Sequence, residues 1–398
     1  MNEKNMKRRD FIYLSALGTI GLSLACRDEE TPVEPTSTPK ELWIYVGTYT
    51  SGDAGSEGIY LCRLDMATGT LERVGVTRGV PEPSFLALDP KGRYLYAVNE
   101  LTIFDGKQSG AVSAFAVAPR SRELTFINWQ PSRGGAPCYL EVDATGAFVL
   151  VANYVGGNVA VLPIQEGGGL GAAVELKQHR GSGPKPQQDG PHAHQARLDA
   201  ANRHVLVSDL GTDKIMTYRF DDKLGTLTPG EPSSVSSAPG AGPRHLDFHP
   251  NGRLAFSINE LDSTLTVFSY DGTRGALTAL QTVSTLPDGL TTPSYCADIH
   301  VSPDGRFLYG SNRGHDSIAV FAIDPAGTLT FVEHVTTNIH WPRNFAIDPT
   351  GTYLLVANQK GNSITTFRRN AQTGRLTPVG QPLEIPAPTC LLVVPPSV

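Results

Sequence analysis

The sequence predicts an all-β fold: a seven-bladed β-propeller across residues 41–398, closed by the C-terminal strand pairing with the N-terminal blade. Three observations predict it. A single pattern returns roughly every 50 residues, a period typical of propeller blades. Apolar residues alternate with period two or form short runs, with no sustained 3.6 period, so helices should be scarce. The two ends of the repeat region are complementary pieces of one unit.

Each copy opens with Pro and a small or polar residue, then a short alternating strand and an Asp-Pro-x-Gly-like turn. A very apolar strand ending in Asn or Asp follows. Next come a Gly-containing turn, a third strand, and a fourth strand often led by Gly-x-Leu-Thr. First strands beginning near Pro83, Pro137, Pro191, Pro243, Ala297 and Pro342 precede YLYAVNE, FVLVANY, HVLVSDL, LAFSINE, FLYGSNR and YLLVANQ. The region starts with LWIYVGTYT, a second strand lacking its first, and ends with Ala387 to Val394, a lone first strand. Joined, they complete a seventh blade and leave only short, protected edges.

Composition agrees. The 41 Gly and 30 Pro suit many short strands joined by turns, and a hydrophobic share of 40% is ample for a large core. A formal net charge of -6 offers no basic footprint, which excludes nucleic acid as a partner. The 5 Cys show neither CxxC pairs nor zinc spacing. Cys62, Cys138, Cys296 and Cys390 fall in predicted strands and are expected to be small buried residues.

Residues 1–26 read as an export signal. Lys7-Arg8-Arg9 precedes an apolar run from Ile12 to Ala25 that is too short for a comfortable membrane span. Arg8-Arg9-Asp10-Phe11 resembles a twin-arginine signal, and Ser23-Leu24-Ala25-Cys26 resembles a lipobox whose Cys26 is lipidated. Residues 27–40, polar and proline-rich, read as a tether. The expected location is therefore exported, periplasmic or membrane-anchored, with the lipid as the only membrane contact and a monomeric body.

In a blade the start of the first strand and the end of the second emerge on one face. Starts of first strands supply Ser84, Tyr139, His192, His194, Arg244, His245, Asp298, Arg343 and Asn344. Ends of second strands supply Glu100, Tyr154, Asp209, Glu260, Arg313 and Gln359. Folded as a ring, these crowd one mouth of the central channel. The DPKGR, DATGA, HPNGR, SPDGR and DPTGT turns go to the other face as generic turn chemistry. Such a mouth suits a small anion: guanidinium groups fork onto a carboxylate or phosphate, and a His or Glu moves a proton. His192 and His194 alternate on a strand and could pair on a metal, but they lack a clear third ligand, so no metal and no cofactor is expected. Structural readings stand beside these: Arg244 as an inter-blade salt bridge, Glu260 as a solvated rim carboxylate, Arg313 as a turn brace. His179, His204, His249, His334 and His340 read as strand or turn decoration.

IYVGTYT at 44–50, PHAHQ at 191–195, GPRH at 242–245, SPDGRFLYGSNRGHDSI at 302–318 and PRNFAIDPTGTYLLVANQ at 342–359 together resemble the bacterial lactonase family. That family contains the propeller-type 6-phosphogluconolactonase and is related to the fungal carboxymuconate-lactonizing enzyme. The resemblance implies hydrolysis of a sugar lactone, an aldonolactone or its phosphate, without an obligatory metal. It carries a catalytic set onto His192 or His194, Arg244, Glu260 and Arg313. On that reading a His, helped by Glu260, activates water while Arg244 and Arg313 hold the acid group and polarise the carbonyl. Glu100, Tyr154, Asp209, His245, Asn312, Arg343, Asn344 and Gln359 are the expected substrate-binding residues, and the partner is a small anionic lactone or sugar acid. One departure is Gly183-Pro184-Lys185-Pro186-Gln187-Gln188, with Gln187 where an Arg is usual, which weakens the case for a phosphate. The alternatives are a cycloisomerase of the lactonizing type and a non-catalytic surface propeller that binds a sugar acid or a protein.

Overall fold

The computed structural model describes residues 39–52 and 55–394. The export signal, Cys26 and most of the tether lie outside the described residues. Seven four-stranded antiparallel sheets are arranged as blades. In blade order they span 41–78 together with 388–394, then 86–131, 137–178, 193–236, 243–284, 295–335 and 342–384. Among the described residues the only helical segments are two short 3-10 turns, Glu166–Gly168 and Pro186–Gln188.

The closure follows the expected plan. Pro388–Val394 pairs antiparallel with Glu41–Thr48, with Trp43 opposite Val394 and Gly47 opposite Cys390. It thereby becomes the innermost strand of the blade that the N-terminal strands begin. Second strands are the most buried: every residue of Phe148–Asn153, His204–Asp209, Leu254–Asn259 and Tyr353–Asn358 is buried. Their apolar side chains pack between neighbouring blades, and the four cysteines of the propeller are free and buried.

At the far end of each first strand the Asp-Pro-x-Gly-like turns form as expected. Gly92, Gly146, Gly252, Gly305 and Gly351 all have φ between 63° and 72°, a region a side chain disfavours. Asp143 caps such a turn by accepting the Ala147 and Phe148 amides at 2.8 Å each.

Side-chain staples join one blade to the next around the channel. Glu141 accepts the Leu198 amide at 3.0 Å, Gln195 the Leu246 amide at 2.6 Å, and Asp247 the Val301 amide at 2.9 Å. Asp298 accepts the Phe345 amide at 3.2 Å, and Asn344 the Leu391 amide at 2.7 Å. These innermost strands are not hydrogen-bonded to each other as a sheet, so each acceptor satisfies an amide that would otherwise face the channel unpaired.

Candidate active site

A local irregularity places the site. The innermost strands of blades 3, 4, 5 and 7 shift register between Pro137 and Tyr139, Ala193 and Gln195, Pro243 and His245, and Pro342 and Asn344. A bulge re-aims side chains, so two consecutive residues per strand line the channel instead of one. The outer tier, Ser84, Cys138, His194, Arg244, Arg343 and Thr389, surrounds a hollow of only about 10 Å³, enough for a single water. Phe85, His245 and Asn344 form its floor and also line a wider cavity of about 800 Å³ that reaches the turn face at Asp89–Gly92.

Glu260, just past the end of its strand, bridges two arginines. Its Oε2 lies 2.9 Å from Arg244 Nε and 2.8 Å from Arg313 Nη2. Arg244 is 2% exposed; its Nη1 donates to the Ala297 carbonyl and lies 3.4 Å from His245 Nε2. Arg313 Nη2 also donates to the Cys296 carbonyl at 2.9 Å. Burial opposes ionisation of Glu260, but Arg313 and Arg244 outweigh it and hold its pKa below the usual carboxylate value. Burial, then Arg313 and Arg343, bring the Arg244 guanidinium down to about 10. Glu260 is therefore an ionised clamp, and Arg244 a cation retained against desolvation.

A second carboxylate holds the third arginine. Glu100 accepts Tyr49 Oη at 3.0 Å on both oxygens, accepts the Ser84 hydroxyl, and lies 3.9 Å from Arg343 Nη2. The Arg343 guanidinium sits 5.2 Å from the centroid of the Tyr49 ring. Burial works against the charge on Arg343, while Tyr49 and Glu100 raise its pKa. The candidate residues read from the sequence omitted Tyr49, yet LWIYVGTYT aligned on the other second strands places it at the position of Glu100, Tyr154 and Glu260.

The two histidines of the HAH motif part company. His194 is 4% exposed, and its Nδ1 has no hydrogen-bond partner among the described residues. Burial first, then Arg244, His245, Arg343 and Arg313, hold His194 well below the ordinary imidazole range, so it is neutral at neutral pH. Its ring centroid lies 5.1 Å from that of His245 and 5.7 Å from that of Tyr154.

The sequence of residues 43–393 matches the family described as lactonase, 7-bladed beta-propeller. The chain belongs to this lactonase family. It is 41% identical over 348 residues to the 6-phosphogluconolactonase of Bacillus subtilis, covering 87% of this chain and 97% of that one. It is 34% identical over 348 residues to the 6-phosphogluconolactonase of Formosa agariphila, covering 86% and 96%. The solved periplasmic gluconolactonase of Pseudomonas aeruginosa superposes with a TM-score of 0.84 at 34% identity, covering 89% of this chain and 99% of that one.

Within this lactonase fold several expected site residues are committed elsewhere. His192 stands at the rim, stacked 4.4 Å from the Tyr154 ring, with Nδ1 3.0 Å from the Tyr154 carbonyl and Nε2 3.2 Å from Asp189. The bulge sends His194, not His192, to the hollow. Asp209 is inaccessible: it accepts the His192 and Thr212 amides at 2.9 and 3.1 Å and lies 2.6 Å from His179 Nδ1. His179 is thus a buried structural partner rather than decoration. Asn312 is equally buried; it accepts Thr285 Oγ1 at 2.7 Å and donates to the Thr285 carbonyl at 3.0 Å. Both occupy the position equivalent to Asn99, Asn153 and Asn358, which anchor the preceding loop in the same way. Asn344 is used up by its staple and by donation to Asp298 at 2.6 Å. Gln359 keeps a buried Oε1 without a partner among the described residues. Gln187 is exposed, and Gln188 is the inward residue, donating to the Leu210 carbonyl at 2.9 Å and to Asp213 at 2.7 Å. Among the described residues no group of three or more His, Cys, Asp or Glu is arranged to hold a metal.

Proposed function

We propose that this chain hydrolyses a sugar lactone, an aldonolactone or its 6-phosphate, to the open hydroxy acid. The observation that carries it is the convergence of Arg244 and Arg343 on a water-sized hollow, with Arg313 tied to Arg244 through Glu260, beside a neutral His194 whose Nδ1 has no partner among the described residues. The names of the relatives support the same chemistry. In the reaction the water oxygen bonds to the lactone carbonyl carbon and the ring C–O bond breaks. One water proton ends on the released hydroxyl and the other leaves with ionisation of the acid.

Arg244 and Arg313 face the carbonyl oxygen and stabilise the negative charge that develops on it, an effect worth about 3 kcal/mol per well-placed donor. His194 takes the proton of the attacking water. Its basicity, held low by burial and the surrounding guanidinium groups, rises when an anionic group offsets their charge. Glu260 stays ionised and holds the two arginines side by side on one carboxylate oxygen, and Arg343, held by Glu100 and Tyr49, receives a distal acidic or hydroxyl group. Residues 1–26 serve as export signal with lipidation at Cys26, 27–40 as tether and 41–398 as a monomeric catalytic body in the periplasm, as the periplasmic relative suggests.

The test is acid release from gluconolactone and 6-phosphogluconolactone by the purified protein against Arg313→Ala. Turnover of at least one lactone, lost in the variant, is expected. No release above the spontaneous rate, or loss of a muconate chromophore instead, would replace this reading.

A further inference from the structure

We propose that Asp298 is a positioning residue for Arg244, acting through His245; this rests on the hydrolytic reading of the same mouth. Asp298 is 3% exposed and is surrounded by donors. Its Oδ1 lies 2.7 Å from His245 Nδ1 and accepts the Ile299 amide at 3.0 Å. Its Oδ2 accepts from Asn344 Nδ2 at 2.6 Å and the Phe345 amide at 3.2 Å, and lies 3.1 Å from His300 Nε2. Burial opposes its ionisation, but His300 and His245 outweigh it and hold Asp298 well below the usual carboxylate range, and the two backbone amides and the Asn344 amide can only donate to it; Asp298 is ionised and His245 carries its proton on Nδ1.

The consequence appears at the other ring nitrogen. A neutral imidazole with Nδ1–H presents a bare Nε2, and this atom faces Arg244 Nη1 at 3.4 Å. A guanidinium can only donate. The opposite tautomer, or an imidazolium, would set N–H against N–H. Burial and Arg244 itself bring His245 down to about 4, in keeping with a neutral ring. One Nη1 hydrogen thus goes to His245 and the other to the Ala297 carbonyl, while Nε lies against Glu260. Among the described residues Nη2 has no partner, so its two N–H groups are the pair offered to a ligand. The floor of the hollow thereby sets which edge of the guanidinium faces upward.

The experiment pairs two substitutions at one position. Phe at 245 keeps the aromatic contacts to Phe85, Tyr139 and His194 but has no acceptor. Gln at 245 can place its Oε1 where Nε2 stands. His245→Phe is expected to lower kcat/KM by about tenfold to a hundredfold, the usual effect of losing an outer partner, and His245→Gln to restore most of it. Equal activity of the two variants would overturn the proposal. Nitrogen NMR of the imidazoles in the wild-type chain, with the His245 signal identified by its absence in His245→Gln, should show Nδ1–H, lost in Asp298→Asn. A wild-type Nε2–H signal would also overturn it. Calorimetric titration with gluconate separates the two readings. If wild type hydrolyses no lactone but binds gluconate, and His245→Phe alone weakens that binding, the hydrolytic reading fails and the positioning role stands.

Discussion

Replacing Arg244 by Met removes a cation that the fold holds against its own stability. The guanidinium is 2% exposed, and burial with the neighbouring Arg313 and Arg343 brings its pKa down to about 10. For a base, a lowered folded-state value means the charged form is disfavoured in the fold, here by about 3 kcal/mol at neutral pH. Met fills similar volume without charge, and Glu260 keeps Arg313 at 2.8 Å, so no carboxylate is left unpaired. Two hydrogen-bond partners are lost, the Ala297 carbonyl and His245 Nε2, at about 1 kcal/mol each. The net is a gain of about 1 kcal/mol. With an unfolding entropy of about 0.7 kcal/mol/K for a body of roughly 350 residues, Tm should rise by about 1–2 °C. Activity should fall by about a hundredfold or more, since a donor to the developing oxyanion is gone. Scanning calorimetry and acid release on the same preparation make the check. A Tm lowered by more than about 4 °C would show that the arginine serves the fold first, and the reasoning would be wrong.

Further outcomes follow from the same geometry. His245 at about 4 lies below the roughly 6.5 of an unfolded imidazole, so the unfolded chain binds the extra proton between those values. Stability should be full above about pH 6.5 and decline by about 3 kcal/mol towards pH 4, read as the urea midpoint; a flat profile would contradict it. His194 should titrate higher when gluconate is bound, because the anion offsets Arg244, Arg343 and Arg313; NMR titration showing no upward move would count against the site. Gly47→Ala would push a methyl group to 2.4 Å from the Pro83 carbonyl oxygen at the closing seam, and should cost about 2–3 kcal/mol in urea unfolding. Gln195→Leu strips the acceptor from the Leu246 amide and should cost about 1–3 kcal/mol while leaving the strand count by circular dichroism unchanged.

The blade count and the closure were legible because they rest on period and complementarity, which a single chain displays. That Arg244, Glu260 and Arg313 meet was legible from strand direction alone. The bulge was not. It needs no special residue, so nothing marked how Arg244 and His245, adjacent on one strand, both line the channel, or that His192 would be turned out to the rim. Asp209 and Asn312 were misplaced by one position: the strand-ending Asn or Asp anchors a loop, and the residue after it faces the mouth. The same offset, applied to the opening strand, finds Tyr49. The staples from Glu141 to Asn344 were also hidden, since they join residues about 50 apart whose pairing depends on how far each blade is rotated from the last.

Trp43 lies directly opposite Val394 in the closing sheet, so the propeller's beginning and end are neighbours. A few linking residues could join them and new ends could be cut at any surface turn, giving a circularly permuted ring whose seam is covalent. Such a molecule would separate what the seam contributes to folding from what it contributes to holding the seven blades in register. The arginine mouth, built from blades away from that seam except for Tyr49 and Thr389, would keep most of its walls unchanged.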